Sequence, residues 1–280
     1  MGRSLPRPTR RVCACSAANS RANGLPIYSR GVIEVVRFFI EQDQRQGLEI
    51  TIRGSDAHHI TKVLRLGPGE LVECVDPEGF LHLVRLEVVG REVKGRVEET
   101  RKGSQESPLH LVLFQGLAKG EKMDLVVQKA VELGAAEIVP FTSRYTVVQL
   151  EPKQAENRLR RWERIAREAA KQCGRIRLPQ VAPVHTFAQV VERVRQNASR
   201  GHLVLAAYEA EREQGLAQIE AEPKAVSAIV GPEGGFSPEE IAALQDAGAV
   251  VCTLGPRILR TETAGLVLLS ILGYRWGDLG

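Results

Sequence analysis

The spacing of apolar residues changes near residue 108, which divides the chain into two patterns. From residue 109 onwards, short apolar runs alternate with stretches in which apolar residues recur every three or four positions. The runs are typical of buried strands, and the stretches are typical of helices that pack on one face. The predicted strands are 109–114, 138–141, 203–207, 225–230 and 250–254, and the predicted helices are 121–133, 154–173, 187–194, 238–247 and 261–275. Strands that alternate with helices predict an α/β domain with a parallel sheet covered on both faces.

The residues before this domain follow a different pattern. Residues 37–100 contain short strand-like segments, with one short helix that starts at Ser55, and this is typical of a small, mostly β barrel. The predicted strands are 37–40, 48–52, 71–75, 80–88 and 93–98. Residues 101–108 are polar and rich in turn formers, which marks a linker. The sequence therefore predicts a barrel at 37–100, a linker at 101–108 and the α/β domain at 109–280.

Residues 1–36 are rich in arginine, serine, alanine and proline and show no apolar periodicity. They favour a disordered or spurious extension, with a targeting segment and an RNA-contacting arm as the alternatives. This stretch holds six arginines and one acid, so it contributes +5 to the net charge of +4 and leaves about −1 for the rest. Because the remainder is nearly neutral, any contact with nucleic acid must come from local clusters of charge.

Five cysteines are spread along the chain and form no Cys-x-x-Cys pair. This distribution favours neither a zinc site nor a disulfide framework, so we expect no metal and a reducing, cytoplasmic environment. The longest apolar run, 264–272, is too short to span a bilayer. It predicts a buried helix rather than a membrane anchor.

Two glycine-containing loops follow strands of the predicted sheet. Gly-Pro-Glu-Gly-Gly occupies 231–235 after one strand, and Gly-Pro occupies 255–256 after the next. Glycine lets a backbone approach a ligand closely, and open α/β sheets bind ligands beyond the carboxyl ends of their strands. Neither loop is Gly-x-Gly-x-x-Gly or carries the Lys-Ser/Thr pair of a Walker loop, so a dinucleotide or a nucleoside triphosphate is not favoured. Each loop alone is also compatible with a plain tight turn.

Basic residues dominate the long predicted helix and the residues just after it. Between residues 158 and 177 the chain has eight bases and two acids. A solvated helix face normally carries both positive and negative side chains, whereas a face dominated by arginine suits the negative phosphate backbone of RNA. We therefore predict RNA contact, with a solvated face as the alternative. The predicted contacts are Arg161, Arg164, Arg167, Lys171 and Arg175 here, and Arg37, Lys62 and Arg65 in the barrel, where the last two lie three apart on a predicted helix.

Two segments near the C-terminus carry a family resemblance: GPEGGFSPEE from residue 231 and LGPRILRTETA from residue 254. Further matches are KGEKMD from residue 119, QKAVELG from residue 128 and QCGR from residue 172. Over residues 37–280 the chain resembles the RsmE family of bacterial methyltransferases. The resemblance implies a SPOUT-type parallel sheet with a trefoil knot, preceded by a PUA-like RNA-binding barrel. It also implies methylation of N3 of a uridine in 16S ribosomal RNA of the small ribosomal subunit, with S-adenosylmethionine as donor, and assembly as a homodimer.

Transfer of the family's motifs to this chain, residue by residue, assigns a site for S-adenosylmethionine. The residues that the resemblance places there are Leu205, Ala206, Ala207, Gly231, Pro232, Glu233, Gly234, Gly235, Leu254, Gly255, Ile258 and Leu259.

Uracil N3 is protonated at neutral pH, so its methylation needs a base or a cation that stabilises the anion. Arg260 and Glu262 are the first candidates and Glu233 is a third, with loop closure or helix capping as the alternative role of each. Two other functions stay open. One is a ribose 2′-O-methyltransferase of the same superfamily, and the other is a non-catalytic ribosome assembly factor.

Overall fold

A six-stranded sheet forms the first part of the computed structural model, which describes residues 35–148 and 150–280. The strands are β1 (Arg37–Phe39), β2 (Arg45–Gln46), β3 (Glu49–Ile52), β4 (Leu71–Val75), β5 (Phe80–Val89) and β6 (Val93–Lys102). Their order is β1-β4-β5-β6-β3-β2, in which β1 runs parallel to β4 and the other pairs are antiparallel. Inward side chains such as Ile50 and Val84 fill the interior. The predicted extension at 1–36 lies outside the described residues, apart from its last two.

A short helical segment closes the interior of this sheet. It consists of α1 (Gly54–His58) and a π-helical turn at His59–Leu64, and its residues Ala57 and Ile60 are fully buried. Arg65 ends the segment in the left-handed conformation, with a φ of 56°. The prediction that Lys62 and Arg65 lie three apart on one helix is therefore wrong, because the segment is π-helical and stops before Arg65. Both side chains are nevertheless exposed.

The second part of the chain builds a parallel sheet. Its elements are β7 (His110–Gly116), α2 (Lys122–Glu132), β8 (Ala135–Thr142), α3 (Pro152–Gln172), β9 (Gln180–Val181), β10 (His185–Thr186), α4 (Phe187–Ser199), β11 (Leu203–Ala207), β12 (Ala225–Val230), α5 (Pro238–Asp246), β13 (Val250–Cys252) and α6 (Thr261–Trp276). The strand order is β10-β8-β7-β12-β11-β13, with β9 beside β8, and all pairs are parallel. None of the helices described is long and apolar enough to cross a membrane.

Helices cover both faces of this sheet. Along β7, Leu111 and Leu113 pack with α2, α3 and α6, whereas Val112 and Phe114 pack with α4 and α5. Burial on both sides explains why the strands appear in the sequence as continuous apolar runs. The predicted fold class, an α/β domain behind a small β barrel, is confirmed.

The C-terminal segment returns from the edge of the sheet to its centre. β13 pairs with β11 at the edge, but α6 packs against β12 and β7. The Thr261 hydroxyl fixes this crossing, because it donates to the carbonyl of Gly231 at 2.6 Å and accepts from the Gln115 amide at 2.8 Å. Gly265 permits the approach, since a Cβ there would lie 2.7 Å from Gln115 Oε1. The N-terminus of α6 is thereby placed beside the 231–235 loop.

Candidate functional site

Three strand ends and two helix starts surround a pocket of about 500 Å³. This volume lies within the range of about 300–1,000 Å³ that is usual for small-molecule sites. The lining residues follow β11, β12 and β13 or begin α2 and α6: Lys122, Ala207, Tyr208, Glu209, Arg212, Val230, Gly231, Pro232, Glu233, Gly234, Gly235, Thr253, Leu254, Gly255, Arg257, Ile258, Leu259, Arg260, Thr261 and Ala264.

The residues predicted for S-adenosylmethionine line this pocket, except Leu205 and Ala206. Both exceptions are fully buried inside β11, where Leu205 packs towards one face of the sheet and Ala206 towards the other. Neither residue therefore lines the pocket, which begins one residue later, at Ala207. Sequence reasoning also missed Glu209 and Arg212, which follow β11 and line the same space. The sequence did predict that this strand ends at Ala207, and residues that directly follow a strand end in such a sheet are candidates for ligand binding.

The 231–235 loop lies directly over the end of β7. Gly116 makes room for it, because a Cβ at Gly116 would lie 2.3 Å from the Pro232 nitrogen. Gly235 has a φ of 69°, which other residues rarely adopt, and this turn leads the chain towards α5. Ser237 and Glu240 then form a capping box, in which the Ser237 amide donates to Glu240 Oε2 at 3.0 Å. The loop therefore presents its backbone to the pocket in a fixed shape.

Residues 253–260 form another wall of the pocket. The Gly255 amide donates to Thr253 Oγ1 at 3.2 Å, which holds the turn. Gly255 has a φ of 107°, and a Cβ built there would meet no atom within 4 Å. Ile258 is 80% exposed, although large aliphatic side chains are usually buried. This wall therefore offers an accessible backbone and an apolar surface to a ligand.

The three predicted catalytic residues occupy different places. Arg260 lines the pocket as the N-cap of α6, and its guanidinium forms no ion pair with a carboxylate of the described residues. Glu233 lines the pocket as well. Glu262 does not, because its side chain is only 15% exposed, and its Oε2 is buried without a hydrogen-bond partner among the described residues. Arg260 and Glu233 therefore line the pocket, whereas Glu262 does not.

Lys122 joins Glu233 to Glu262, and sequence reasoning did not select it. Its Nζ lies 3.2 Å from Glu233 Oε1 and 3.3 Å from Glu262 Oε2, the second contact being an ion pair without hydrogen-bond alignment. Glu233 Oε1 also accepts from the amide of Lys119 at 2.9 Å. Both lysines lie in the KGEKMD segment, whose match to the family could have identified Lys122 as a candidate.

These contacts shift two pKa values in opposite directions. The hydrogen bond with Glu233 raises the pKa of Lys122 against the effect of burial, and Glu262 adds to the increase. Partial burial by itself would raise the pKa of Glu233, but the Lys119 amide and the Lys122 ammonium outweigh it, so this pKa is lowered. Lys122 and Glu233 are therefore both charged at neutral pH.

The predicted RNA contacts divide into surface and buried residues. Lys62, Arg65, Arg161 and Arg164 are exposed, and Arg167 is partly exposed. Arg161 pairs with Asp124, and Arg167 lies 3.7 Å from Glu41. These five remain at the surface, where a phosphate can reach them.

Arg37 and Lys171 are instead only partly exposed and Arg175 is buried, and groups of this chain already bind all three cations, so the structure does not favour their predicted contact with RNA. They tie the barrel and the linker to α3 and the residues after it. Lys171 pairs with Asp56 at 2.7 Å, Arg37 pairs with Glu73 at 2.6 Å and donates to the Gly174 carbonyl, and Arg175 pairs with Glu106 at 2.7 Å and donates to the Val131 carbonyl at 3.2 Å. A charge count along the sequence does not separate a cation that faces solvent from one that faces a neighbouring part of the chain.

Comparisons with known proteins add to this geometry. Residues 105–273 match the family model of an RNA methyltransferase domain, and residues 52–98 match that of an RNA methyltransferase PUA domain. The chain is 37% identical over 250 residues to ribosomal RNA small subunit methyltransferase E of Bacillus subtilis (strain 168). The aligned region covers 85% of this chain and 96% of that protein. It is 33% identical over 243 residues to the protein of the same name from Mycobacterium bovis, which covers 85% of this chain and 92% of that protein.

Solved structures resemble the chain over a similar extent. One is a ribosomal RNA small subunit methyltransferase E from Neisseria gonorrhoeae bound to S-adenosyl methionine, with 31% identity, a TM-score of 0.78, and coverage of 88% of this chain and 100% of that chain. Another is a putative methyltransferase from Legionella pneumophila in complex with the bound cofactor SAM, with 31% identity, a TM-score of 0.80, and coverage of 88% and 99%.

Proposed function

The chain belongs to the ribosomal RNA small subunit methyltransferase E family, and on this basis we propose that it methylates N3 of one uridine in 16S ribosomal RNA, with S-adenosylmethionine as donor. The observation that carries the proposal is the single pocket that both glycine loops line together with Arg260, Glu233 and Lys122. Two plain turns would have no reason to converge on one cavity that charged groups also line.

The pocket residues fit S-adenosylmethionine. Leu254, Ile258 and Leu259 supply the apolar surface that an adenosine needs, and the exposed backbone at Gly255 and in the 231–235 loop supplies polar groups. When bound, S-adenosylmethionine supplies an electrophilic methyl group. The chain contributes mainly by holding the acceptor base in line with it.

Glu233 and Arg260 are the groups that we assign to the uracil. A carboxylate beside N3 accepts its proton, and an unpaired guanidinium stabilises the negative charge that then spreads over the base. Both residues line the same pocket from different loops, which is the basis for assigning them to one base.

We further propose that the barrel, which extends to the end of β6 at Lys102 and so two residues beyond the predicted boundary at 100, is the RNA-binding PUA-like domain, that the linker ends at 108 and that 109–280 form the methyltransferase domain. Lys62, Arg65, Arg161, Arg164 and Arg167 are the surface cations that we assign to phosphate contacts. Contacts of this kind position an RNA without reading its sequence. The substrate is 16S ribosomal RNA within the small ribosomal subunit, which places the protein in the cytoplasm.

A homodimer built on α6 completes the proposal. Ile271 is 36% exposed and Tyr274 is 73% exposed on this helix, while Leu266 and Val267 are partly exposed. An exposed apolar surface is typical of subunit interfaces.

Mass analysis of small-subunit RNA tests the proposed function. RNA from a strain that lacks the protein should lack one N3-methyluridine, and the purified chain with S-adenosylmethionine should restore it on subunits from that strain. Methylation of a ribose would instead assign the chain to the 2′-O-methyltransferases of the superfamily. Binding to subunits without any methyl transfer would indicate an assembly factor.

A further inference from the structure

Lys122 projects from the first turn of α2 into the pocket that Glu233 and Arg260 also line. Its side chain is 33% exposed, so the ammonium is accessible to a ligand. Two carboxylates from other elements hold it, Glu233 in the 231–235 loop at 3.2 Å and Glu262 in the first turn of α6 at 3.3 Å. A lysine side chain is flexible on its own, and this double contact presents its charge at one defined place.

The charge of this cluster favours some ligands over others. One ammonium between two carboxylates gives a formal net charge of −1, which disfavours a third carboxylate such as the methionine end of S-adenosylmethionine. A neutral carbonyl is not repelled in this way. The ammonium and the adjacent Glu233 therefore form a donor and an acceptor side by side, and Glu233 Oε2 forms no hydrogen bond with another described residue.

This pair matches one edge of uracil. The N3–H group of uracil is a donor flanked by two carbonyl acceptors, so an acceptor and a donor side by side on the protein complement it. In the same register cytosine would present an unprotonated N3 to Glu233, so two acceptors would face each other.

We propose that Lys122 donates to a carbonyl oxygen of the target uracil and stabilises the anion that forms when N3 gives its proton to Glu233. This inference rests on the function proposed above. The N3–H bond breaks, the proton moves to Glu233 Oε2, and the electron pair stays on the base, shared between N3 and the two carbonyl oxygens. Because protonated Glu233 attracts the ammonium less, Lys122 turns towards the oxygen that has gained charge. The total charge of cluster and base is unchanged in this step, which limits its electrostatic cost.

Glu262 then acts through Lys122 and is a positioning residue. Its carboxylate is mostly buried, its Oε2 has no hydrogen-bond partner among the described residues, and it remains beside Lys122 once Glu233 is protonated. This role accounts for a buried oxygen that would otherwise be unexplained. The raised pKa of Lys122 keeps the ammonium charged at neutral pH. The other charged groups that face the pocket are Glu209, Arg212, Arg257 and Arg260.

Lys122→Met tests the proposal, because methionine keeps much of the side-chain length and removes the charge. Lys129→Met is the matched control, since Lys129 lies on the same helix, away from this pocket, and pairs with Glu132 at 2.8 Å. Single-turnover methylation is measured on small subunits that lack the mark. We expect K122M to be slower by about 10²–10³-fold at neutral pH, the usual effect of removing one donor to a developing anion. Its rate should rise with pH more steeply than that of the wild type, and K129M should match the wild type.

Subunits assembled from RNA that contains 5-fluorouridine separate chemistry from structure. Fluorine makes the N3–H group more acidic, so the anion depends less on the ammonium, and K122M should regain most of its rate on this RNA. Lys122→Arg keeps the charge and should stay more active than K122M. Glu262→Gln should show the same pH profile and the same rescue in weaker form. Calorimetric affinity of K122M for S-adenosylmethionine should equal that of the wild type.

A structural clamp would give a different set of results. Equal losses on uridine and 5-fluorouridine, or a loss of S-adenosylmethionine affinity in K122M, would overturn the proposal. If the wild type methylates N3 and K122M does so equally fast, this inference is rejected and the proposed function stands. Methylation of another atom by the wild type would remove the proposed function and this inference together.

Discussion

Glycines around the pocket act through two separate physical effects. Gly116 leaves space, because a Cβ there would lie 2.3 Å from the nitrogen of Pro232. Gly255 adopts a φ of 107° next to open space, so a larger residue there would strain the backbone and place atoms in the pocket. Gly201 shares only the strain, since it has a φ of 84°, has no atom within 4 Å of a built Cβ, and lies outside the pocket lining.

Gly255→Val should therefore abolish binding of S-adenosylmethionine, because the side chain occupies the space that the ligand needs. Gly201→Val is the matched control and should lose a similar amount of stability, about 1–3 kcal/mol, while keeping its affinity. Titration calorimetry gives the affinities and chemical denaturation gives the stabilities. Equal affinities in the two variants would show that the ligand does not touch Gly255.

Arg260→Ala should lower turnover by about 10²-fold while leaving the affinities for RNA and S-adenosylmethionine nearly intact, as expected of a group that stabilises charge mainly in the transition state. Arg195→Ala is a suitable control, since Arg195 lies on α4 and pairs with Glu192 at 2.8 Å. Single-turnover rates and equilibrium binding of both variants decide the matter. A loss of affinity as large as the loss of rate would make Arg260 a plain binding residue.

Glu233 should make stability depend on pH. Its pKa is lowered in the folded chain by the Lys119 amide and the Lys122 ammonium, which outweigh the effect of burial. The stabilisation is therefore fully present above the ordinary pKa of a glutamate and is lost as the pH falls through the lowered value. The gap in Tm between the wild type and Glu233→Gln should be greatest near neutral pH and should shrink in acid. Glu87→Gln, at an exposed position on β5, should show no such trend.

At the scale of elements, α3 and the residues just after it carry cations of two kinds. Arg164 is exposed and forms no ion pair with a described residue, whereas Arg175 is buried against Glu106 at 2.7 Å. A solvent-facing cation is free to neutralise a phosphate, while a buried one already neutralises a carboxylate. The two arginines should therefore affect different measurements.

Arg164→Ala should weaken binding to small subunits and reduce the slope of log affinity against log salt by about one unit, with stability unchanged. Arg175→Ala should cost about 3 kcal/mol of unfolding free energy, because it leaves the Glu106 carboxylate without its partner. Salt-dependent binding and urea denaturation measure the two effects. A change in salt slope for Arg175→Ala without destabilisation would return Arg175 to the RNA surface.

At the scale of the molecule, α6 has more apolar surface than its own core uses. Leu268, Leu269 and Leu272 are buried, yet Ile271 and Tyr274 are exposed on the same helix. Tyr274→Asp should therefore give monomers if this surface joins two copies, whereas Val88→Asp, at a 55% exposed position in the barrel, should not. Light scattering gives the mass of each variant in solution and so shows whether it is a monomer or a dimer. A wild-type mass equal to one chain of 30.8 kDa at micromolar concentration would remove the dimer.

The resemblance to solved structures extends over the barrel and the α/β domain together. The Neisseria gonorrhoeae structure covers 88% of this chain with a TM-score of 0.78, which confirms the parallel sheet with a PUA-like barrel in front of it. The crossing of α6 behind the 231–235 loop, fixed by Thr261, is the feature that gathers the site. Sheet pairing brings together the segments that follow β7, β11 and β12, and the return of the C-terminal segment adds residues 253–264 to them.

The sequence by itself determined the long elements and the two loops, but not the two-residue strands β2, β9 and β10. Strands 203–207 and 225–230 have the predicted bounds, because a buried strand needs an unbroken apolar run and a glycine or polar residue ends it. Capping chemistry likewise located the start of α5, where Ser237 and Glu240 satisfy each other's backbone amides within one turn. These features depend on neighbours a few positions apart, which the sequence displays directly.

Only the tertiary structure decided which charges meet. Lys122 and Glu233 are 111 positions apart, and their contact exists because two loops converge at the end of the sheet. Arg37, Lys171 and Arg175 turned away from solvent because acids or carbonyl groups of another part of the chain face them. Periodicity assigns a side chain to a face of its own element, but the groups opposite that face are set by packing between elements. For a charged residue, those groups determine whether it binds a ligand or holds the fold together.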